Sequence, residues 1–193
     1  MDPKTNNNRM GTEPIVPLLL KLSIPSIFSM FIQALYNVID SIFVARLSKD
    51  ALAAVSLAFP IEMVLIAIAV GTGTGTSSLI SRLLGSGKDR RAGNVAEHVF
   101  FIGLFYGIIV TAIGFFLPEH LISFFTDNHL LIDYGTRYTR IILICSIAIF
   151  IPVLASDILR GEGNTFIPMV SMLIGAILNI ILDPLLIFGY GHF

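Results

Sequence analysis

Long apolar stretches alternate with short polar segments along the chain, and their spacing predicts helices that cross a membrane. From about residue 15 onward the apolar stretches reach about 20 residues, the length that a helix needs to cross a hydrocarbon core of ~30 Å. They lack the strict alternation of barrel strands, and a backbone in lipid must pair its own polar groups, so each is predicted to be a helix. Five spans are predicted, at about residues 16–44, 52–79, 95–117, 138–159 and 166–188.

The polar segments predict the topology. Residues 1–13 are polar and rich in Asn, without the pattern of a cleaved signal, so we expect a short disordered tail ahead of the membrane part at 14–193. Basic residues crowd the 82–91 segment between the second and third spans, whereas residues 118–133 contain acids but no Lys or Arg. By the positive-inside rule, the 82–91 segment and the N-terminal tail are predicted to be cytoplasmic.

Composition agrees with a membrane protein and excludes several other classes. Of the 193 residues, 55% are hydrophobic and 13% charged, against about 25% charged in a soluble domain. A net charge of -1 provides no basic surface for nucleic acid. The single cysteine, Cys145, excludes a disulfide framework and is expected to be a small buried apolar residue. Because no phosphate-loop, GxSxG or HExxH motif is complete, we expect neither an enzyme nor a bound cofactor.

Glycine-rich stretches occur in two of the spans. The second span contains Gly71-Thr-Gly-Thr-Gly-Thr76, and the third contains Gly103-Leu-Phe-Tyr-Gly107. Small residues at this spacing favour the close approach of another helix. The alternative for the second span is that its Thr hydroxyls or exposed backbone line a cavity.

Carboxylates inside the spans point to function. A charged side chain at mid-membrane costs about 2.5 to 3.5 kcal/mol on insertion scales, so such residues usually face a wet cavity. Asp40 lies in the first span, where Gln33, Tyr36 and Asn37 precede it at helical spacing. We therefore expect these four residues to form a polar stripe on one face of the helix.

The fifth span repeats this arrangement, with Asn179 and Asp183 four residues apart. Two mid-membrane acids on separate helices, each with an amide nearby, suggest one shared site. The hypothesis is that Asp40 and Asp183 form a cation-coupling site that takes up a proton or Na⁺, with Asn179, Asn37 and Tyr36 as neutral ligands or hydrogen-bond partners.

Other residues in the spans allow more than one interpretation. Asp157, near the cytoplasmic end of the fourth span, is either a cavity charge or a solvated residue at the membrane boundary. Glu62, in the second span, is either a buried cavity acid or a residue near the outer headgroups. Pro25 and Pro152 interrupt the first and fourth spans and are predicted to bend them.

Several short motifs follow one another along the chain. They are Pro25 followed by Tyr36-Asn-Val-Ile-Asp40, then Ala51-Leu-Ala-Ala-Val-Ser-Leu-Ala-Phe-Pro60, Ser81-Arg-Leu-Leu-Gly85, Leu159-Arg-Gly-Glu-Gly-Asn164 and Asn179-Ile-Ile-Leu-Asp183-Pro-Leu-Leu-Ile-Phe-Gly189. In this order and spacing they resemble the MATE (multidrug and toxic compound extrusion) transporters, and the resemblance covers about residues 14 to 189.

The resemblance implies an all-α integral membrane protein that exchanges H⁺ or Na⁺ for amphipathic, often cationic, drug-like compounds. It implies a prokaryotic inner membrane with the N-terminus in the cytoplasm. The family has two lobes of six helices each around a central cavity, so the five predicted helices would form most of one lobe, the N-terminal one. Because the chain ends soon after the fifth helix, we expect transport to require the missing helices, supplied in cis or in trans.

The resemblance also implies roles for individual residues. By position they are Asp40, Asn179 and Asp183 in the cation site, Tyr36, Asn37 and Tyr138 in the cavity, and Pro25 at the bend of the first helix. The family carries a polar, often amide, residue near Asp157, so an acid there is expected to be a third cavity charge or to have another role. For Na⁺, Asp40 and Asp183 would be the carboxylate ligands.

Two other functions fit the same sequence features. One is a flippase for lipid-linked precursors from the same superfamily, which would line its cavity with basic residues, whereas no Lys or Arg lies deep in these spans. The other is a membrane-embedded structural or assembly module without transport. This last function predicts that Asp40 and Asp183 can be replaced without a phenotype.

Overall fold

A computed structural model describes residues 13–189, so the predicted disordered tail lies outside the described residues except for Glu13. The described part of the chain is helical and contains no strand. The helices are α1 (Ile15–Leu47), α2 (Lys49–Gly85), α3 (Asp89–Phe116), α4 (Pro118–Ser123), α5 (His129–Ile144), α6 (Ile147–Gly161) and α7 (Phe166–Phe188).

Local sequence explains where several helices begin and end. The Ser48 hydroxyl accepts a hydrogen bond from the Ala51 amide at 2.9 Å and caps the start of α2. The Asn128 side chain caps α5 in the same way, accepting from the Leu130 amide at 3.0 Å. Beyond the ends of α2 and α6, Gly87 and Gly163 adopt φ angles of 71° and 82°, a conformation that glycine adopts without steric cost.

Five membrane crossings agree with the lengths of these helices. Four of them, α1, α2, α3 and α7, are each long and apolar enough to cross a bilayer alone. Helices α5 and α6 have 16 and 15 residues, or about 24 and 22 Å, and are too short to cross ~30 Å singly. Together they pass the same test as one broken span bent by 49°.

The fourth span differs from its predicted form. It begins at His129 rather than near residue 138, and it breaks at Cys145 and Ser146. Pro152, the predicted bend, lies inside α6 without a break. Cys145 is exposed, so the expectation of a buried cysteine is wrong.

Hydrogen bonds from side chains explain the position of this break. The Ser146 hydroxyl is buried and donates to the Gly107 carbonyl at 3.1 Å, and the Thr111 hydroxyl donates to the Ile144 carbonyl at 3.0 Å. Both bonds connect the break to α3. The Thr111 hydroxyl gives a donor to a carbonyl next to the break, where an interrupted helix in a membrane would otherwise leave a backbone group unpaired.

Helices α2, α3, α5 and α6 form a packed bundle with an apolar interior. Phe150 and Leu154 of α6 are fully buried, as is Ala69 of α2, and Leu143 of α5 is 2% exposed. The Ser81 hydroxyl of α2 also donates to the Gly161 carbonyl of α6 at 2.8 Å. The apolar interior divides into two clusters: Leu65, Ala69, Val110, Leu143 and Phe150 in one, and Ile80, Ala92, Val99, Leu154 and Ile158 in the other.

Glycines of α3 allow α5 and α6 to approach closely, which confirms the prediction for this helix. A Cβ on Gly103 would lie 2.6 Å from Leu154 Cδ1, and one on Gly107 would overlap the Ile147 side chain and lie 3.1 Å from its Cα. The glycine run of α2 behaves differently. Only its central Gly73 meets another helix, whereas nothing lies within 4 Å of a Cβ built on Gly71 or Gly75.

The remaining long helices, α1 and α7, pack most extensively against each other and form the α1/α7 pair. On α1, Ile32 is the one buried apolar side chain. On α7, no described Val, Ile, Leu, Met or Phe side chain is buried. The pair therefore presents most of its apolar surface outward, as helices in lipid do.

Candidate ion-coupling site

The α1/α7 pair brings the two predicted carboxylates together. Asp40 lies one turn after Tyr36 on α1, and Asp183 lies one turn after Asn179 on α7. Asp183 interacts electrostatically with both Asp40 and Tyr36. That one cation site is shared between the first and last spans stays a prediction, and these interactions across α1 and α7 are consistent with it.

A cavity of about 270 Å³ lies between the two helices next to these acids. Gln33 and Tyr36 line it from α1, and Asn179 lines it from α7. Its remaining walls are apolar or carry no side chain: Ile32, Met172, Gly175 and Ala176. The cavity thus combines three neutral polar groups with an apolar lining, one turn away from Asp40 and Asp183.

Asn37 does not line this cavity, contrary to the single face expected from spacing. It faces a separate pocket with Ser41 and Ala45 of α1 and Leu52 of α2. The physical reason is which neighbouring helix each side of α1 meets. Tyr36 and Asn37 lie about 100° apart on α1, and the Tyr36 side meets α7 at the cavity, whereas the Asn37 side meets Leu52 of α2.

Tyr138 and Glu62 extend the site into the packed bundle. Tyr138 of α5 and Glu62 of α2 have interacting side chains, and both interact electrostatically with Asp40. The sequence left Glu62 open between two interpretations, and the structure places it with the cavity acids. A signal was present, because Glu62 continues the buried stripe of α2 that includes Ala58 and Leu65 at helical spacing.

Three oxygen atoms of the site are buried and have no hydrogen-bond partner among the described residues. They are Glu62 Oε1, Asn179 Oδ1 and Asp183 Oδ2. Asp183 is only 9% exposed. Buried polar atoms in proteins are normally paired, and all three of these atoms are acceptors, so a hydrogen-bond donor or a cation would satisfy them. Within residues 13–189, no three His, Cys, Asp or Glu side chains converge as they would around a metal ion.

Asp157 lies elsewhere. It is 6% exposed, it accepts a hydrogen bond from Arg160 Nη1 at 3.1 Å, and its carboxylate fills the space beside Gly73 where a Cβ would otherwise be. It therefore packs between α2 and α6, paired with an arginine of its own helix. The structure does not bring it together with Asp40, and it is not a solvated residue at the membrane boundary.

Pro25 lies within α1, which continues from Ile15 to Leu47. The Ser29 hydroxyl donates to the Pro25 carbonyl at 2.9 Å. A proline has no N–H to donate to the turn before it, so this part of α1 has one backbone hydrogen bond fewer than an ordinary helix. Its role as a bending point remains a prediction.

Comparison with known proteins agrees with the fold and the arrangement of these helices. A sequence model of the MatE family matches residues 25–185, and the chain belongs to this family. The matched relatives are named as transporters and exporters, and the family is one of multi-pass membrane proteins.

Two curated relatives and one solved structure show the extent of the match. The "FAD transporter" of Shewanella oneidensis is 31% identical over 180 residues, 93% of this chain and 40% of that protein. The "Multidrug export protein MepA" of Staphylococcus saprophyticus is 26% identical over 173 residues, 89% of this chain and 38% of that protein. The solved structure of the "MATE multidrug transporter DinF-BH" superposes with a TM-score of 0.89 at 39% identity, covering 93% of this chain and 41% of that one. The chain thus spans about 40% of the length of its relatives.

Proposed function

We propose that this chain provides the ion-coupling part of an exporter that exchanges H⁺ or Na⁺ for amphipathic, often cationic, organic compounds. The observation that carries the proposal is the pair Asp40 and Asp183, which interact across two helices while Asp183 Oδ2 and Asn179 Oδ1 remain without a donor among the described residues. These acceptors are suited to a proton or a small cation. The exported compound would enter the transporter from the cytoplasm, the side on which we expect the N-terminus.

Coupling follows from the change in charge at this site. An ion bound between Asp40 and Asp183 neutralises them, so they no longer hold a cationic compound or keep the cavity hydrated. Helix α1 then bends at Pro25 and releases the compound outward. The ion drives this change only to the extent that it binds the two conformations with different affinities.

The relatives support the class of exported compound. MepA is named as a multidrug export protein, and DinF-BH is named as a multidrug transporter. The acidic character of the α1/α7 site suits cationic compounds, because its carboxylates attract positive charge. The other helices that such an exporter needs would complete the cavity around this lobe.

Asp40→Asn and Asp183→Asn test the proposal. In the protein expressed from its complete gene and reconstituted in liposomes, each variant should reduce ethidium transport driven by a pH or Na⁺ gradient at least about tenfold, because the amide cannot bind the ion as a carboxylate does. Asp127→Asn, at an acid outside the spans, is the matched control and should transport normally. Normal transport by both site variants would refute the proposal, and would favour the structural or assembly module.

Transport of an anionic dinucleotide is a second candidate function, because one relative is named as an FAD transporter. The same liposomes separate the two functions. If FAD is the substrate, the liposomes will transport labelled FAD, unlabelled FAD will compete with that transport, and ethidium will not. Competition by cationic dyes alone supports the first proposal. Transport of neither compound, with transport of a lipid-linked precursor, would identify a flippase.

A further inference from the structure

Glu62 contributes a third carboxylate to the site, from a helix outside the α1/α7 pair. It lies on α2 between the buried residues Ala58 and Leu65, which are 0% and 5% exposed. The rigid packing of α2 therefore fixes its position. Its side chain interacts with that of Tyr138 of α5, and it interacts electrostatically with Asp40 of α1.

The surroundings of Glu62 contain acids and phenols. Among the described residues, those that interact electrostatically with Glu62 or contact its side chain are Asp40 and Tyr36 of α1 and Tyr138 of α5. From α3, Tyr106 packs against the same apolar cluster as Ile61, which precedes Glu62.

Two acids lie farther from Glu62. Asp183 of α7 interacts electrostatically with Asp40 and Tyr36. The acid of α6, Asp157, contacts Gly73, about three turns farther along α2, where it is paired with Arg160.

One oxygen of the Glu62 carboxyl group has no partner. Oε1 is buried and accepts no hydrogen bond from the described residues. An ionised carboxylate in this position would leave a charged acceptor without a donor, and this is costly in a buried site. Ionised Glu62 and Asp40 would also repel each other, and a proton on either relieves the repulsion.

We propose that Glu62 binds a proton of its own during the transport cycle, at Oε1, and so acts as a third coupling carboxylate beside Asp40 and Asp183. The proton comes from water on one side of the membrane, forms the neutral acid, and returns to water on the other side when the site opens there. The neighbouring Tyr138 side chain, which interacts with Glu62, helps to hold the carboxyl group in place. The inference rests on the proposed function, because it assigns Glu62 to the same ion-coupling cycle.

An infrared titration tests the proton directly, without transport. The complete protein in lipid nanodiscs is titrated with acid, and the carbonyl stretching bands of protonated carboxyl groups are recorded. Glu62→Gln should remove one band that Asp40→Asn and Asp183→Asn both retain. Tyr138→Phe should keep this band and shift its frequency, because the carboxyl group loses a neighbouring hydroxyl. The control Glu119→Gln, at an exposed acid, should leave the buried-acid bands unchanged.

The stoichiometry of transport tests the role of the proton. Reversal potentials in liposomes give the number of protons exchanged per ethidium, and Glu62→Gln should lower this number by one. An unchanged band pattern in Glu62→Gln would overturn the inference, as would an unchanged stoichiometry.

These failures differ from failure of the proposed function. If Asp40→Asn and Asp183→Asn lose transport while Glu62→Gln matches the unsubstituted protein in both measurements, the inference fails and the proposed function stands. If all three variants transport normally, the proposed function fails, and the third coupling role fails with it.

Discussion

The packed bundle and the α1/α7 pair are held together in different ways, although both consist of apolar helices. In the packed bundle, glycines of α3 bring backbones close to α5 and α6, and large side chains such as Phe150 and Leu154 are fully buried. In the α1/α7 pair, most large apolar side chains face outward, and a cavity lies between part of the two helices. The bundle is therefore the closely packed region, and the pair is the loosely packed one.

The candidate site is divided between these two regions. Asp40 and Asp183 belong to the α1/α7 pair, whereas Glu62 and Tyr138 belong to the packed bundle. Under the proposed function, an ion or proton bound across this boundary would connect the loosely packed region to the closely packed one. A change in the position of the pair would then change how the four residues face each other, so that ion binding would favour one conformation over another.

The largest effect on stability is expected from Gly107→Leu in the packed bundle. A side chain there meets Ile147 and its backbone, which cannot give way as a flexible side chain would, so the variant should lose about 3 kcal/mol or more. Thermal unfolding in detergent measures the loss. The matched variant Gly175→Leu in α7, where nothing lies within 4 Å of a built Cβ, should change stability by less than about 1 kcal/mol. Equal losses in the two variants would contradict the distinction between the regions.

An intermediate effect of opposite sign is expected from Pro25→Ala in α1. The alanine restores a backbone donor, so α1 should gain about 1 to 3 kcal/mol of helix stability, and the unfolding temperature should not fall. Transport should slow, because the stiffer helix bends less readily. Ser26→Ala, one residue away, is the control, because it introduces an alanine into the same turn without adding a backbone donor. Transport at the normal rate in Pro25→Ala would show that α1 does not need this proline to move.

The smallest effect is expected from Ser146→Ala at the break between α5 and α6. The substitution removes the hydrogen bond to the Gly107 carbonyl, and a buried bond of this kind contributes about 1 kcal/mol. The unfolding temperature should fall slightly, and ion-coupled transport should persist. Ser156→Ala, whose hydroxyl bonds within its own helix to the Pro152 carbonyl, should change stability less. A larger loss in Ser156→Ala than in Ser146→Ala would show that the break does not need this bond.

The sequence predicted the spans better than the contacts between them. Membrane length and hydropathy are local properties, so α1, α3 and α7 could be located from the chain alone. The break at Ser146 could not be located, because it depends on bonds to Gly107 and Thr111, more than thirty residues earlier. Pro152 gave a stronger local signal for a bend in this span, but it lies inside α6, and the break lies at Cys145 and Ser146.

The candidate site shows the same limit. The spacing within each helix grouped Tyr36 with Asp40 and Asn179 with Asp183, and the α1/α7 contact joined the two groups. Spacing alone could not separate Asn37 from that face, and it could not decide between two environments for Glu62. Both questions depend on which neighbouring helix each face meets, which is a property of the packed structure.

The exposed Cys145 has a practical consequence for measuring these motions. It is the only thiol in these 193 residues, and it lies at the 49° joint between α5 and α6. A membrane-permeant spin label or fluorophore attached there would need no engineered cysteine in this part of the protein. Its signal would report whether the joint straightens or stays bent when the coupling ion is added.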